Sequence, residues 1–222
     1  MSSSDPPAVA LDRVSFSYAA AGARQVVLDE LSARFPAGAL TVVAGPSGAG
    51  KSTVLRLVAG LLAPHGGAVL HDGRAIGRSE RSRRAYRRAH VAYVFQRPAD
   101  NLFHALTVAK NVRLVARVRN GTVERDPLAA VGLGERRLAR PGHLSGGEQQ
   151  RVAVALGAIG ARAVLAADEP TAQVDEASAG AVVAELLRLR DAGVAVVVAS
   201  HDRDVLAVAD HVVDLGMRRV DD

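Results

Sequence analysis

Gly45-Pro46-Ser47-Gly48-Ala49-Gly50-Lys51-Ser52-Thr53 fits the pattern G-x-x-x-x-G-K-[ST], a loop that wraps phosphate. Ahead of it runs Leu40-Thr41-Val42-Val43-Ala44, a strand-sized apolar run. Behind it, Val54-Leu55-Arg56-Leu57-Val58-Ala59 is apolar with helical spacing. Strand, glycine loop and helix form the context that separates this motif from a chance glycine-rich turn. Glycines let backbone N–H groups turn around an anion, and the following helix presents its positive end to the same place. Lys51 adds a point charge for the outer phosphates, and Ser52 offers a hydroxyl to Mg²⁺. Of the 28 Lys and Arg residues only Lys51 and Lys110 are lysine. A chain that uses arginine almost everywhere else keeps a compact ammonium here, which a planar guanidinium does not replace.

The 222 residues are 49% hydrophobic, enough for one substantial core with an inserted subdomain. Aromatics are 3% and tryptophan is absent, so Val, Leu and Ala must build that core. With no cysteine there is no disulfide and no thiolate metal site. Met1 to Pro7 reads as a disordered tail without the basic and apolar regions of a signal peptide. No apolar run reaches the roughly 18 residues needed to span a bilayer. The expectation is a chain soluble by itself, with any membrane role exerted through a partner. The net charge of +5 is uneven: Arg78, Arg81, Arg83, Arg84, Arg87 and Arg88 crowd one stretch. Only Tyr86 interleaves for base stacking, so a solvated helix face is the favoured reading over nucleic-acid contact.

Strands are expected at Val9–Tyr18, Val26–Leu28, Leu31–Phe35, Ala68–Leu70 and Val91–Phe95, with a loop at Ala19–Ala23. From Arg97 the texture becomes helical, without sustained heptads, until Val164. Val164–Ala167 and Val194–Ala199 are again apolar strands, and His211–Leu215 is the last one. Four apolar strands stop at polar groups: the loop after Ala44, Gln96, Asp168-Glu169 and His201. Continuously apolar strands belong to a parallel sheet covered on both faces, and such sheets bind ligands at their carboxyl edge. These groups should therefore converge on one nucleotide. Asp168 stands where a P-loop enzyme holds its Mg²⁺-coordinating acid, and Glu169 can act as general base on the attacking water. His201 can hydrogen-bond a γ-phosphate, and Tyr18 can stack on a base or fill core.

Leu144-Ser145-Gly146-Gly147-Glu148-Gln149-Gln150 narrows the reading, because it resembles the signature motif of ABC ATPases. The resemblance covers nearly the whole chain, with motifs in the family's order. Tyr18 matches the adenine-stacking aromatic, Gly45 to Thr53 the Walker A loop, and Gln96 the Q-loop, a further Mg²⁺ contact. Val164 to Glu169 match Walker B with its catalytic glutamate, Asp175 the D-loop and His201 the switch loop. The resemblance implies an α/β, P-loop NTPase (RecA-like) core with a mostly parallel sheet, an N-terminal antiparallel β part and an inserted α-helical subdomain. Residues 1–222 then form one domain, with 8–96 and 160–222 as nucleotide-binding core and 97–159 as helical subdomain. ATP and Mg²⁺ are the implied ligands. Ser145, Gly146, Gly147 and Asp175 are implied to meet nucleotide across a head-to-tail pair of cassettes, identical or different.

Within the family the chain looks like ATPases of lipoprotein-releasing, macrolide-export and cell-division complexes. The expectation is an ATPase that drives a separate membrane permease, peripheral on the cytoplasmic face of the membrane, with no nucleic-acid partner. Two alternatives stand beside it. Gln96 to Phe103 is similar to the Q-loop region of energy-coupling importers, and the arginine run fits a soluble ABC ATPase acting on nucleic acid. Two departures from the family pattern are visible: Ala172-Gln173-Val174-Asp175 in the D-loop, and Leu156-Gly157 where an arginine is common.

Overall fold

The computed structural model describes residues 8–20, 23–119 and 126–216. The tail expected over residues 1–7 lies outside them. Five strands form a parallel sheet in the order β6-β7-β8-β3-β9. They are β3 (Leu40–Ala44), β6 (Val91–Val94), β7 (Val164–Asp168), β8 (Ala195–Ala199) and β9 (His211–Asp214). Alternation along each strand divides the core in two. Val43, Val164, Ala166, Val197 and Ala199 face one side. There they meet Val54, Leu55, Leu57 and Val58 of helix α1 (Lys51–Val58). Leu40, Val42, Val94, Leu165, Ala167, Val196 and Val198 face the other, under α5 (Gly146–Gly160) and α6 (Glu176–Asp191). Burial on both faces is why these strands read as unbroken apolar runs.

An antiparallel sheet, order β2-β1-β4-β5, covers the α1 side. It contains β1 (Val9–Ala20), β2 (Ala23–Phe35), β4 (Gly66–His71) and β5 (Arg74–Ala75). The two short strands expected at Val26–Leu28 and Leu31–Phe35 are one continuous strand; of the loop expected at Ala19–Ala23, Ala19, Ala20 and Ala23 are strand, and residues 21 and 22 lie outside the described residues. Bulges explain the broken pattern. Arg13 and Glu30 take left-handed backbone at φ 45° and 49°. Their N–H groups donate to the Ser32 and Ser15 hydroxyls, each at 3.0 Å.

Half of the arginine run works inside the fold. Helix α2 (Glu80–His90) lies over the carboxyl end of α1. Tyr86 donates to Val58 O at 3.1 Å and Arg83 to Leu61 O at 2.9 Å, while Arg87 donates to Gly60 O. Cations and donors at a helix C-terminus satisfy its orphan carbonyls and complement its dipole. Arg78, itself exposed, donates to Gly67 O at 2.9 Å, and Arg81, Arg84 and Arg88 make up the rest of the exposed face.

The described residues between 98 and 160 are mostly helical: α3 (Val108–Arg119), α4 (Pro127–Ala130), short 3-10 turns, then α5. Val108, Val112, Leu128, Val131 and Leu133 make a separate small core with Val152, Ala155 and Leu156 of α5. The opposite face of α5 lies on the parallel sheet. Gly157 occupies the tightest point, where an added Cβ would sit 2.7 Å from Val94 Cγ2 and 3.2 Å from Leu165 Cδ1. This contact accounts for the small residue at that departure from the family pattern. Gly157→Ala should destabilise the protein by about 1 kcal/mol, overpacking outweighing the gain in helix propensity. A lowered urea midpoint at unchanged slope is the expected measurement.

Candidate functional site

Register sets the site. Val43 pairs with Ala199, Asp168 with Ala199, and Val94 with Ala167, so the strands end level. A cleft of about 350 Å³ opens at this edge. Its lining includes Tyr18, Ser47, Gly48, Gly50, Lys51, Ser52, Thr53, Gln96, Asp168 and Glu169, which are scattered along the chain. Gly45, Pro46 and Ala49 complete the loop behind it. Gly45, at φ 142°, has Ala49 Cβ and Leu215 Cβ 3.3 Å from any added Cβ. Lys51 Nζ donates to Gly45 O at 2.8 Å and Pro46 O at 3.0 Å, which places the ammonium over the loop.

The Tyr18 ring packs edge-on against Phe16 at 5.0 Å, and its hydroxyl lies 3.3 Å from Thr53 Oγ1. It both fills core and lines the cleft. Asp168 is buried, and the Tyr93 hydroxyl reaches its Oδ2 at 3.5 Å. Burial and the neighbouring Asp168 charge raise the Tyr93 hydroxyl, keeping it a neutral donor. Ser52, Gln96 and Asp168 together offer hard oxygen donors on one cleft, the donor set that Mg²⁺ takes.

Glu169 has left-handed backbone at φ 48°, a conformation that strains a side chain with a Cβ. Its N–H donates to Ala199 O at 2.9 Å, and its Oε1 lies 3.0 Å from His201 Nδ1. Thr171 donates to Asp202 Oδ2 at 2.6 Å, a second tie between the loops after β7 and β8. That bond holds the Asp202 carboxyl below the usual range. The His201 side chain is 80% exposed and does not line the cleft; its tie to the site is the contact with Glu169.

Ser145, Gly146, Gly147 and Asp175 do not line this cleft. Ser145 caps α5 instead. Its Oγ accepts from Glu148 N at 3.1 Å, and Glu148 Oε2 accepts from Ser145 N at 2.8 Å. Asp175 caps α6, accepting from Ser178 N at 3.0 Å and from the Ser178 hydroxyl at 2.8 Å. The departing residues of the D-loop touch the signature glycines. A Cβ on Gly147 would meet Gln173 O at 2.8 Å and Val174 Cα at 3.4 Å. Two cleft residues, Gln25 and Val27, escape the sequence reading. Gln25 pairs directly with Tyr18 across the β1–β2 hairpin, in a register set by a bulge that the sequence does not announce.

The family model described as ABC transporter matches residues 28–172. An ABC transporter ATP-binding protein of Mycobacterium tuberculosis, described as uncharacterized, is 37% identical over 94% of this chain and 87% of its own length. The lipoprotein-releasing system ATP-binding protein LolD of Paramagnetospirillum magneticum is 38% identical over 85% of this chain and 86% of its own. Among solved structures, a dimeric ATP-binding cassette in a post-hydrolysis state bound to ADP and Pi matches with a TM-score of 0.85. It is 28% identical and the match covers 94% of both chains.

The capping box at the head of α5 should be worth about 1 kcal/mol. The Ser145 N–H, then the Arg136 charge, hold the Glu148 carboxyl below its ordinary value. Its contribution is therefore present above about pH 4.3 and is lost as pH falls through the lower folded value. Glu148→Ala should lose about 1 kcal/mol at pH 7 in urea unfolding, and the difference from wild type should shrink below about pH 4.

Proposed function

The chain belongs to the ABC transporter family as an ATP-binding subunit, and on that premise we propose that it hydrolyses ATP in a head-to-tail pair of cassettes to drive a separate membrane permease. The permease is of the lipoprotein-release or macrolide-export type, and the cassettes sit on the cytoplasmic face of the membrane. No helix among the described residues is long and apolar enough to cross a membrane.

One observation carries this reading. The cleft gathers Lys51, Ser52, Gln96, Asp168 and Glu169, whereas the second helix N-terminus fit for phosphate, Ser145-Gly146-Gly147, lies off it. A single nucleotide uses one such cradle within a chain, so the other is available to a nucleotide held by a second cassette. The loop N–H groups, the positive end of α1 and Lys51 bind the triphosphate. Ser52, Gln96 and Asp168 would hold Mg²⁺, which supplies charge neutralisation at the β- and γ-oxygens when bound. Glu169 accepts a proton from the water that attacks the γ-phosphorus, and the bridging oxygen departs with ADP. His201 orients the Glu169 carboxylate and reaches the γ-phosphate from the mouth.

The permease's cytoplasmic helix has a seat of suitable chemistry. An apolar groove of about 340 Å³ is lined by Phe95, Phe103, Leu114, Val118 and Leu156, beside the loop that carries Gln96. Phe103 is 57% and Val118 55% exposed. Glu169→Gln should lower turnover about 10²- to 10⁴-fold while ATP-dependent pairing of cassettes persists, as read by phosphate release and light scattering. Unchanged hydrolysis would remove Glu169 from the role of base. Phe103→Glu should abolish co-purification with the permease from detergent-solubilised membranes. Nucleotide binding by the same variant should be retained.

A further inference from the structure

Beyond the phosphate end, the cleft is closed by three residues of the β1–β2 hairpin: Tyr18, Gln25 and Val27. Tyr18 and Gln25 are direct cross-strand partners, so their side chains share a face. Leu28 pairs with Phe16 and Val26 with Ser17, which makes Val27 the extra residue of a bulge. Bulges re-aim side chains beside sites. Here Gln25 and Val27 both line the cleft while Val26, between them, is 63% exposed. An added Cβ on Gly50 would meet Val27 Cγ1 at 2.8 Å, so the hairpin is seated directly on the phosphate loop. The Gln25 carboxamide makes no hydrogen bond among the described residues.

With the triphosphate at Lys51 and Ser52, the base of a nucleotide must lie at this hairpin. Tyr18 offers a stacking face and Val27 an apolar contact, and neither distinguishes one purine from another. We propose that Gln25 is the specificity-determining residue that makes the cleft prefer adenine to guanine. This rests on the reading that the cleft binds ATP. The amide oxygen of Gln25 accepts from the exocyclic N6 amine, and its N–H group donates to N7. Guanine presents O6 and N7 on that edge, both acceptors, so the amide oxygen would face a lone pair. At an exposed position the discrimination should be about tenfold, the low end for a bidentate pair.

The test is the ratio of dissociation constants for Mg–ATP and Mg–GTP, measured by calorimetry on the full chain. Wild type should bind ATP about tenfold tighter than GTP. Gln25→Ala should bring the ratio close to one. Gln25→Arg should turn it toward GTP, because a guanidinium donates to both O6 and N7 of guanine. Gln25 is exposed, so both variants should keep the wild-type melting temperature. A wild-type ratio near one, or a ratio that Gln25→Ala leaves unmoved, would overturn the assignment of Gln25 and leave ATP binding standing. Failure of wild type to bind either nucleotide would overturn the underlying ATP reading instead.

Discussion

The level ending of the parallel strands is the constraint on which everything else depends. β3, β6, β7 and β8 are held in register along their length, so the residues that follow each one emerge in a single row. Register in a buried sheet is strongly fixed, because a slip of one residue would exchange the two apolar faces. Here that would move Val42 and Val43 into the wrong cores, and with them the loop at Gly45 and the acid at Asp168. Helix α1 extends the same logic. Its amino end points at the cleft, and its carboxyl end is taken up by Tyr86, Arg83 and Arg87 of α2. The carboxyl end of that dipole thus has partners of the right sign, and its positive end is left facing the cleft.

Strain is concentrated beside that row. Left-handed backbone at a glutamate costs on the order of 1–3 kcal/mol, and it persists where the surroundings over-determine it. Around Glu169 they do: Ala199 O takes its N–H, His201 meets its carboxylate, and Thr171 is fastened to Asp202. The loops after β7 and β8 are therefore one unit. A carboxylate fixed before substrate arrives needs no reorganisation when charge develops, and so it acts as a preorganised group.

The phosphate loop, its flanking strand and helix, and the polar strand ends were legible in the sequence because buried parallel strands advertise themselves as apolar runs. The hairpin was less legible. β2 carries bulges at Val27 and Glu30, which break the two-residue period and made one strand read as two. Gln25 was lost for the same reason, since nothing in its identity says that a bulge turns it toward Tyr18. The arginine run was legible as excess charge only. That Arg83 and Arg87 cap α1 depends on a packing of two helices that charge counting does not contain. Gly157 read as a departure, and its cause, contact with Val94 and Leu165, is purely tertiary.

The heads of α1 and α5 differ in how they are built. The head of α1 is open, with loop glycines and an ammonium held by loop carbonyls. The head of α5 is stiffened by the reciprocal Ser145–Glu148 cap, with Arg136 bound to the same carboxylate at 3.0 Å. Gln173 and Val174 press against its glycines, and Arg151 of α5 donates at 2.7 Å to the Ser178 hydroxyl, which is bonded to Asp175. Residues 145–147 and 173–175 are therefore tied to each other by contact and by hydrogen bonds. The helix that carries the signature packs on the sheet with one face and on the helical region with the other. α5 shares the small core formed by Val108, Val112, Val152 and Leu156, and through Leu156 it also lines the apolar groove.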